Sequence, residues 1–337
     1  MLRNFRIRST HFLKRKGTSE QSSFSTFFLT AIERPRELFI HRNGWFERNL
    51  RYVLNIPLIS VLLLVSIFPL LYVIYLGFTD ANMMNFLNPK FVGLQNYYSV
   101  LIRNDWFVVS LALTLGFVSL SVTSEFAAGL VLALIVSSLR KATRITVVLL
   151  TLPLVIAPVI LGNMFRYMLH SLVGVIPFYL EQVGIKPLSL TSSTESFILM
   201  ALVDVWMWTP FLFLIAYASL QTVPQHLIDA ALVDGASRFG RFRYVVWPSI
   251  VPNLSVGLIL RIIDCLKTFD VVYILTGGGI GSPVGPVTFL SILIYKITFS
   301  YYEIGVGASL SVLTLIFLST LLSRPFLRLF FREEERK

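Results

Sequence analysis

Cysteine is almost absent: Cys265 stands alone among 337 residues, in an apolar run, which excludes disulfides within the chain and thiolate metal sites. Histidine is sparse too. His11, His41, His170 and His226 are scattered, with no two at ligand spacing, so a metal site is not expected. Charged residues make up 14% of the chain, against about a quarter in an ordinary soluble domain. No G-x-x-x-x-G-K-[ST] loop occurs, which excludes ATP binding by that mechanism. The nearest glycine-rich piece, TGGGIGSPVGP from Thr276 to Pro286, lacks the lysine and the following helix pattern, and reads as a flexible outer loop. A catalytic set is missing as well, because Glu125, Asp204 and Asp264 have no His or Ser partner at local spacing.

What the chain has in abundance is apolar surface. Hydrophobic residues make up 55% of it and mean hydropathy is +0.74, which points to an all-α integral membrane protein. A hydrocarbon core of roughly 30 Å needs about 20 apolar residues per span. Six runs qualify, at 54–78, 107–137, 145–168, 197–219, 249–274 and 304–323. The second is too long to cross upright and should tilt or project. The shorter stretch Val287 to Phe299, interrupted by Lys296, is expected to be interfacial or re-entrant.

Orientation follows from the basic residues. With the N-terminus in the cytoplasm, 22 of the 29 lie on the inner side: 11 in residues 1–53, then Arg140, Lys141 and Arg144, then Arg238, Arg241 and Arg243, and five from Arg324 to Lys337. Only Lys90, Arg103, Lys186 and Lys296 fall outside. Both termini are therefore expected to be cytoplasmic, and the net charge of +11 needs no nucleic acid to explain it. The predicted organisation is a basic tail at 1–53, a six-helix domain at 54–325 and a second tail at 326–337. The first tail holds no signal-peptide core, since Phe24 to Ile32 is short and broken by Ser and Thr. It reads as a segment attracted to membrane lipid, although an Arg- and Ser-rich start also suits an organelle transit peptide.

Seven ionisable residues lie within spans: Glu125, Arg166, Asp204, Arg261, Asp264, Lys267 and Asp270. Each costs about 2.5 to 3.5 kcal/mol at a helix centre on insertion scales, so they should face a bundle interior or a hydrated path. In the fifth span Arg261, Asp264, Lys267 and Asp270 recur every three residues with alternating sign, which lets neighbours pair at i, i+3. Two readings stay open: self-paired charges that lock helices together, or a pathway for a polar solute. Asp270 beside Phe269 and Tyr273 suits a sugar, whose hydroxyls bond to acids and whose apolar faces lie on rings; with Asp204 these are the pathway candidates. Glu125 and Arg261 each lie 12 residues from the inner end of their span, at a common depth of about 18 Å, and are expected to couple. Gly305 with Ser309 and Gly307 with Ser311 allow close helix approach in the last span.

One stretch between spans is too polar to cross. IDAALVDGASRFGRFRYVVWP, Ile228 to Pro248, falls on the cytoplasmic side. Thr222 and Gln225 have capping-box spacing, Pro224 suits a first turn, Gly235 suits a helix end at positive φ, and Ser237 suits the cap of a second helix running towards Pro248. A small helix, turn, helix element results, able to dock through Leu227, Ala231 and Leu232.

This stretch resembles the cytoplasmic EAA loop of ABC importer permeases, whose pattern is E-A-A-x3-G-x9-I-x-L-P. Here Asp229-Ala230-Ala231 is followed by three residues, Gly235, nine residues, then Val245, Val246, Trp247 and Pro248, with Asp for Glu, Val for Ile and Trp for Leu. LPLVIAPVILGNMFRYML (from Leu152), FDVVYILTGGG (from Phe269) and GVGASLSVL (from Gly305) are similar to the maltose-type, carbohydrate-uptake branch. The likeness covers roughly residues 54 to 325. Gly279 stands where that branch has proline, and Leu113 where it has asparagine.

The resemblance implies a multi-pass inner-membrane permease paired with a second, similar permease, two ABC ATPase subunits and an extracytoplasmic solute-binding protein. ATP and Mg would belong to the ATPases, with no cofactor and no catalysis in this chain. Asp229, Ala230, Ala231 and Gly235 would form the docking core of a coupling loop that also holds Asp234 and Pro248. The expected function is ATP-driven import of a sugar, oligosaccharide or polyol by alternating access. Another polar solute such as glycerol phosphate is the alternative. An ion-coupled secondary transporter fits the intramembrane charges but not the absence of a visible inverted repeat.

Overall fold

The structure, a computed structural model, describes residues 44–102, 105–139, 143–277 and 287–334. The basic segment through residue 43, Arg103, Arg140, Lys141, residues 278–286 of the glycine-rich loop and residues 335–337 lie outside them. Among the described residues every extended element is helical, and strand pairing is confined to one bridge between Thr79 and Phe91. Hydrocarbon offers no partner to backbone N–H and C=O groups, so apolar runs of this length satisfy them within helices.

Two compact units divide after Phe68. The first contains the start of α1 (Gly44–Gly77), where Ile56, Leu62, Leu64, Val65 and Phe68 are exposed within the chain, a surface suited to lipid or another membrane chain and not to water. Helix α1 begins inside the segment read as a tail.

The second unit holds the remainder. Its elements are α2 (Gln95–Ile102), α3 (Asp105–Ser138), α4 (Thr143–Val155), α5 (Pro158–Met168), α6 (Val175–Gln182), α7 (Ser193–Gln221), α8 (Gln225–Val233), α9 (Arg238–Arg241), α10 (Trp247–Leu266), α11 (Asp270–Leu275), α12 (Leu290–Tyr295) and α13 (Ile304–Glu334). A π-helical turn, Phe242–Val246, joins α9 to α10 without a break, and another, Lys296–Ser300, extends α12.

Four of these are long and apolar enough to cross a membrane: the Asn55–Gly77 stretch of α1, α3, α7 and the Ile304–Ser323 stretch of α13. The other two expected spans depart from simple rods. The third is broken into α4 and α5, bent by 88°. Its cause is local: Pro153 lies within α4, and Pro158 opens α5 by holding Ala157 extended at φ −62 and ψ 136. The fifth does not run to residue 274. Helix α10 ends at Leu266, and α11 starts anew at Asp270. Two prolines, an asparagine, Arg261 and Asp264 also leave α10 more polar than the four clear spans.

The core is organised around α3 and α7, which pack along much of their length. Gly129 permits this: a Cβ there would lie 2.8 Å from the Phe213 backbone nitrogen, so only hydrogen lets the helices close. Phe117 of α3 and Phe289, just before α12, meet with ring centroids 4.7 Å apart, and Phe197 of α7 completes the aromatic group. The Leu290 amide at the start of α12 donates to the Thr114 hydroxyl of α3 at 3.0 Å, which fixes the short apolar helix against that span. In α13, Gly305 lies against the Thr79 carbonyl and Gly307 against the Thr298 side chain, so the small residues of the last span make room for loop backbone and for a threonine of the short helix.

Candidate functional site: a buried charge cluster, a cavity and an exposed loop

Glu125 on α3 and Arg261 on α10 meet in the core of the second unit. Arg261 donates from Nε to Glu125 Oε2 at 2.7 Å and from Nη2 to Oε1 at 2.8 Å, a bidentate fork that a planar guanidinium makes and an ammonium cannot. Neither side chain has any exposed surface. The same Nη2 donates to Asp204 Oδ2 of α7 at 2.5 Å, and Nη1 reaches Asp264 Oδ2 at 3.2 Å. Trp208, one turn after Asp204, lays its ring 4.7 Å from the guanidinium carbon, a cation–π contact strengthened by burial. One cation thus ties three helices together. Its bonds offset a desolvation cost that unpaired charges would leave standing.

Of the seven ionisable residues expected within spans, the structure brings five into one group: Glu125, Asp204, Arg261, Asp264 and, at its edge, Lys267. Lys267 Nζ lies 3.5 Å from Asp264 Oδ1 but is 72% exposed, so this outer pair is a weak one. Arg166 is elsewhere, in the last turn of α5 with its guanidinium beside Gly277. Asp270 is exposed in the first turn of α11.

A cavity of about 270 Å³ opens beside this cluster, lined by Asp204, Trp208, Asp264, Lys267, Phe269 and Asp270 among others. The helix break makes this wall. Lys267 closes α10 at φ −101 and ψ 9, and Phe269 precedes α11 at φ −134 and ψ −59. Non-helical backbone at membrane depth is tolerated where protein or a polar cavity satisfies it. Here the Lys267 and Thr268 amides donate to the Asp264 and Cys265 carbonyls at 3.2 Å, and the Ser291 hydroxyl donates to the Thr268 carbonyl at 2.6 Å. Beyond the break, Phe269 stacks on Tyr273 at 5.0 Å, and Tyr295 of α12 packs on both rings at 5.3 and 5.1 Å.

The loop after α7 is built differently. Asp229, Ala230, Asp234, Gly235 and Pro248 are exposed and Ala231 is half-buried. Gly235 has φ +73, the Ala236 amide donates to the Ala231 carbonyl at 2.9 Å, and the Gly235 amide donates to the Leu232 carbonyl at 3.1 Å. That pair of bonds is the Schellman closure, which satisfies two carbonyls at the end of α8. Ser237 caps α9, its hydroxyl accepting from the Gly240 amide at 3.1 Å. The capping box expected from Thr222 and Gln225 does not form. Thr222 instead ends α7, its hydroxyl donating to the Ser219 carbonyl at 2.8 Å, while Gln225 Nε2 donates forward to Asp229 Oδ1 at 3.1 Å and Pro224 is the N-cap. Trp247 is accommodated between Phe126 of α3 and Phe242, with centroids at 6.5 and 6.0 Å.

Comparison with known proteins decides the family. The model for the binding-protein-dependent transport system inner membrane component matches residues 125–331. The chain belongs to that family. It is a multi-pass inner-membrane permease, and the matched region begins at Glu125 and takes in the cluster, the cavity and the loop. The permease is 35% identical over 276 residues to the trehalose/maltose transport system permease protein MalF of Thermococcus litoralis, covering 80% of this chain and 90% of that one. It is 32% identical over 267 residues to the trehalose transport system permease protein SugA of Mycobacterium tuberculosis, covering 79% and 84%. Its fold is shared with a chain of a bacterial alginate ABC transporter solved with an alginate-bound periplasmic protein, at a TM-score of 0.67 and 18% identity over 83% of the permease and 94% of that chain.

Trp208, Thr268 and Tyr295 are the permease residues that reading the sequence did not single out. Trp208 carried a signal, four residues after Asp204 and so on the same helical face. Tyr295 carried none, because its approach to Phe269 depends on how α12 packs against the helix break.

Proposed function

We propose that this permease is a membrane subunit of an ATP-driven importer for a carbohydrate, and that the cavity at the α10–α11 break lies on the solute's path. One observation carries the reading: aromatic faces (Trp208, Phe269) and carboxylates (Asp204, Asp264, Asp270) share one cavity wall in a chain related to trehalose and maltose permeases. Rings stack on the apolar faces of a sugar, and carboxylate oxygens accept from its hydroxyls. Uptake of labelled trehalose and maltose by vesicles holding the complete transporter tests it. Trp208→Ala and Phe269→Ala should each reduce uptake at least about tenfold if ring stacking contributes the 1.4 kcal/mol that a tenfold change represents. Full uptake by both variants would place the path elsewhere.

The loop from Gln225 to Pro248 is the proposed dock for the ATPase subunits, which bind ATP and Mg and hydrolyse it. Its support is an exposed helix with a rigid end, held by Gly235 and Ser237 and continued without interruption through the π turn into α10. Movement of the dock would then be passed to the helix that carries Arg261 and the cavity wall, and alternating access follows as the spans rock. In the same reading six spans place both termini in the cytoplasm, a second permease covers the exposed apolar helix faces, and a solute-binding protein delivers substrate from outside. Asp229→Lys, or deletion of Gly235, should leave the permease in the membrane while ATPase activity loses its link to uptake. Normal transport by both would refute the dock. The proposed partners are tested by purification in mild detergent, where two ATPases and a second permease should accompany the chain.

A further inference from the structure

The charges around the cavity do not balance. Asp264 and Asp270 stand on the wall against Lys267 alone, while Asp204, which also lines it, and Glu125 behind it are both bonded to Arg261. Arg166, beside Gly277, is not part of this wall. Arginine is ordinarily the residue that receives phosphate or carboxylate by a bidentate fork. Here Nε and Nη2 are engaged by Glu125, Nη2 also by Asp204, Nη1 by Asp264, and one face of the guanidinium by Trp208. Four of its five N–H donors are taken, and the single Nη1 hydrogen left over cannot make a bidentate fork for a solute. Among the described residues Lys267 pairs with Asp264 at 3.5 Å, and solvent screens Lys267 and Asp270 alike because both are exposed.

We infer that the cavity discriminates by charge: it admits neutral polyhydroxylated solutes and rejects phosphorylated or acidic ones, with Arg261 acting as an internal counter-ion and not as an anion receptor. A neutral sugar meets carboxylate oxygens that only accept, which its hydroxyl donors satisfy. A sugar phosphate brings more negative charge to a wall that already has a surplus. This rests on the proposal that the cavity lies on the solute's path, and it turns the choice between a sugar and a glycerol phosphate into a question of electrostatics.

The test measures binding of labelled trehalose and trehalose 6-phosphate to the purified transporter complex in nanodiscs, without solute-binding protein and at low ionic strength. Trehalose should bind at least about tenfold more tightly than its phosphate, the scale of a like-charge penalty. Asp264→Asn with Asp270→Asn should raise affinity for the phosphate and bring the ratio within about threefold. Asp270→Asn alone, at an exposed position free of the buried cluster, should move the ratio the same way by a smaller step, so the inference stays testable if the double variant fails to fold. Equal affinity for the two probes in the unaltered complex, or a ratio that neither variant moves, overturns charge selection and leaves the pathway standing. Trehalose binding unaffected by Trp208→Ala, or no binding of either probe, defeats the pathway reading and the inference with it.

Discussion

The Arg261 cluster and the Gln225–Pro248 loop hold their shapes by opposite means. In the cluster, side chains from three helices converge on one guanidinium with no exposed surface on Arg261 or Glu125, and the geometry exists only because α3, α7 and α10 pack together. In the loop the residues are largely exposed, and shape comes from the backbone: a Schellman closure at Gly235 and a serine cap at Ser237. Buried electrostatics respond strongly to loss of a partner, whereas local backbone devices respond weakly but independently of the rest of the molecule.

The sharpest way to break the contrast is Arg261→Met. Removing the cation leaves Glu125 and Asp204 buried without their partner, and stability should fall by about 3–5 kcal/mol, seen as a large drop in the thermal transition of the detergent-solubilised complex. Glu125→Gln should cost less because Asp204 and Asp264 still hold Arg261, and Glu125→Gln with Arg261→Gln should be clearly non-additive. Additive losses would mean that the contact is not an energetic unit. Next in size is Gly129→Val. Its Cβ would meet the Phe213 backbone nitrogen, which cannot step aside, so about 1–3 kcal/mol should be lost by overpacking, measured on the same transition.

The loop variants should be smaller and local. Gly235→Ala forces a Cβ into the left-handed region at a cost of about 1–2 kcal/mol, although nothing lies within 4 Å of that Cβ. Faster amide exchange at Gly235 and Ala236, with an unshifted thermal transition, is the expected outcome, and Gly235→Asn should be milder. Ser237→Ala removes one cap worth about 1 kcal/mol and should speed exchange at the Gly240 amide alone. If either substitution lowered the global transition as Gly129→Val does, the loop would belong energetically to the core and the contrast would fail.

Much of this was legible because spans and turns obey short-range rules. The three-residue spacing of Arg261, Asp264 and Lys267 foretold ion pairs that the structure contains at 3.2 and 3.5 Å, and equal depth along two spans matched Glu125 to Arg261; the expected Lys267–Asp270 pair is not among the ion pairs of the described residues, because the helix stops between them. Gly235 and Ser237 act as local turn chemistry says they should. The capping box failed because Thr222 had a competing acceptor, the Ser219 carbonyl one turn back, which ends α7. The fifth span was read as continuous because apolar character persists through residues 271–275; only the charged, aromatic step at Lys267 to Phe269 marks the break.

By itself, then, the sequence determined a helical membrane chain, the position of its turn elements and which rare charges had to be sheltered, since each follows from hydropathy or from contacts within a turn or two. Tertiary structure alone decided that Asp204 joins the Arg261 cluster, that Trp208 covers the guanidinium, that Tyr295 reaches Phe269 and that a cavity opens where α10 stops. These contacts join residues far apart in the chain. Their geometry depends on how closely helices approach, which Gly129 and the α12 docking at Thr114 set only once the bundle has formed.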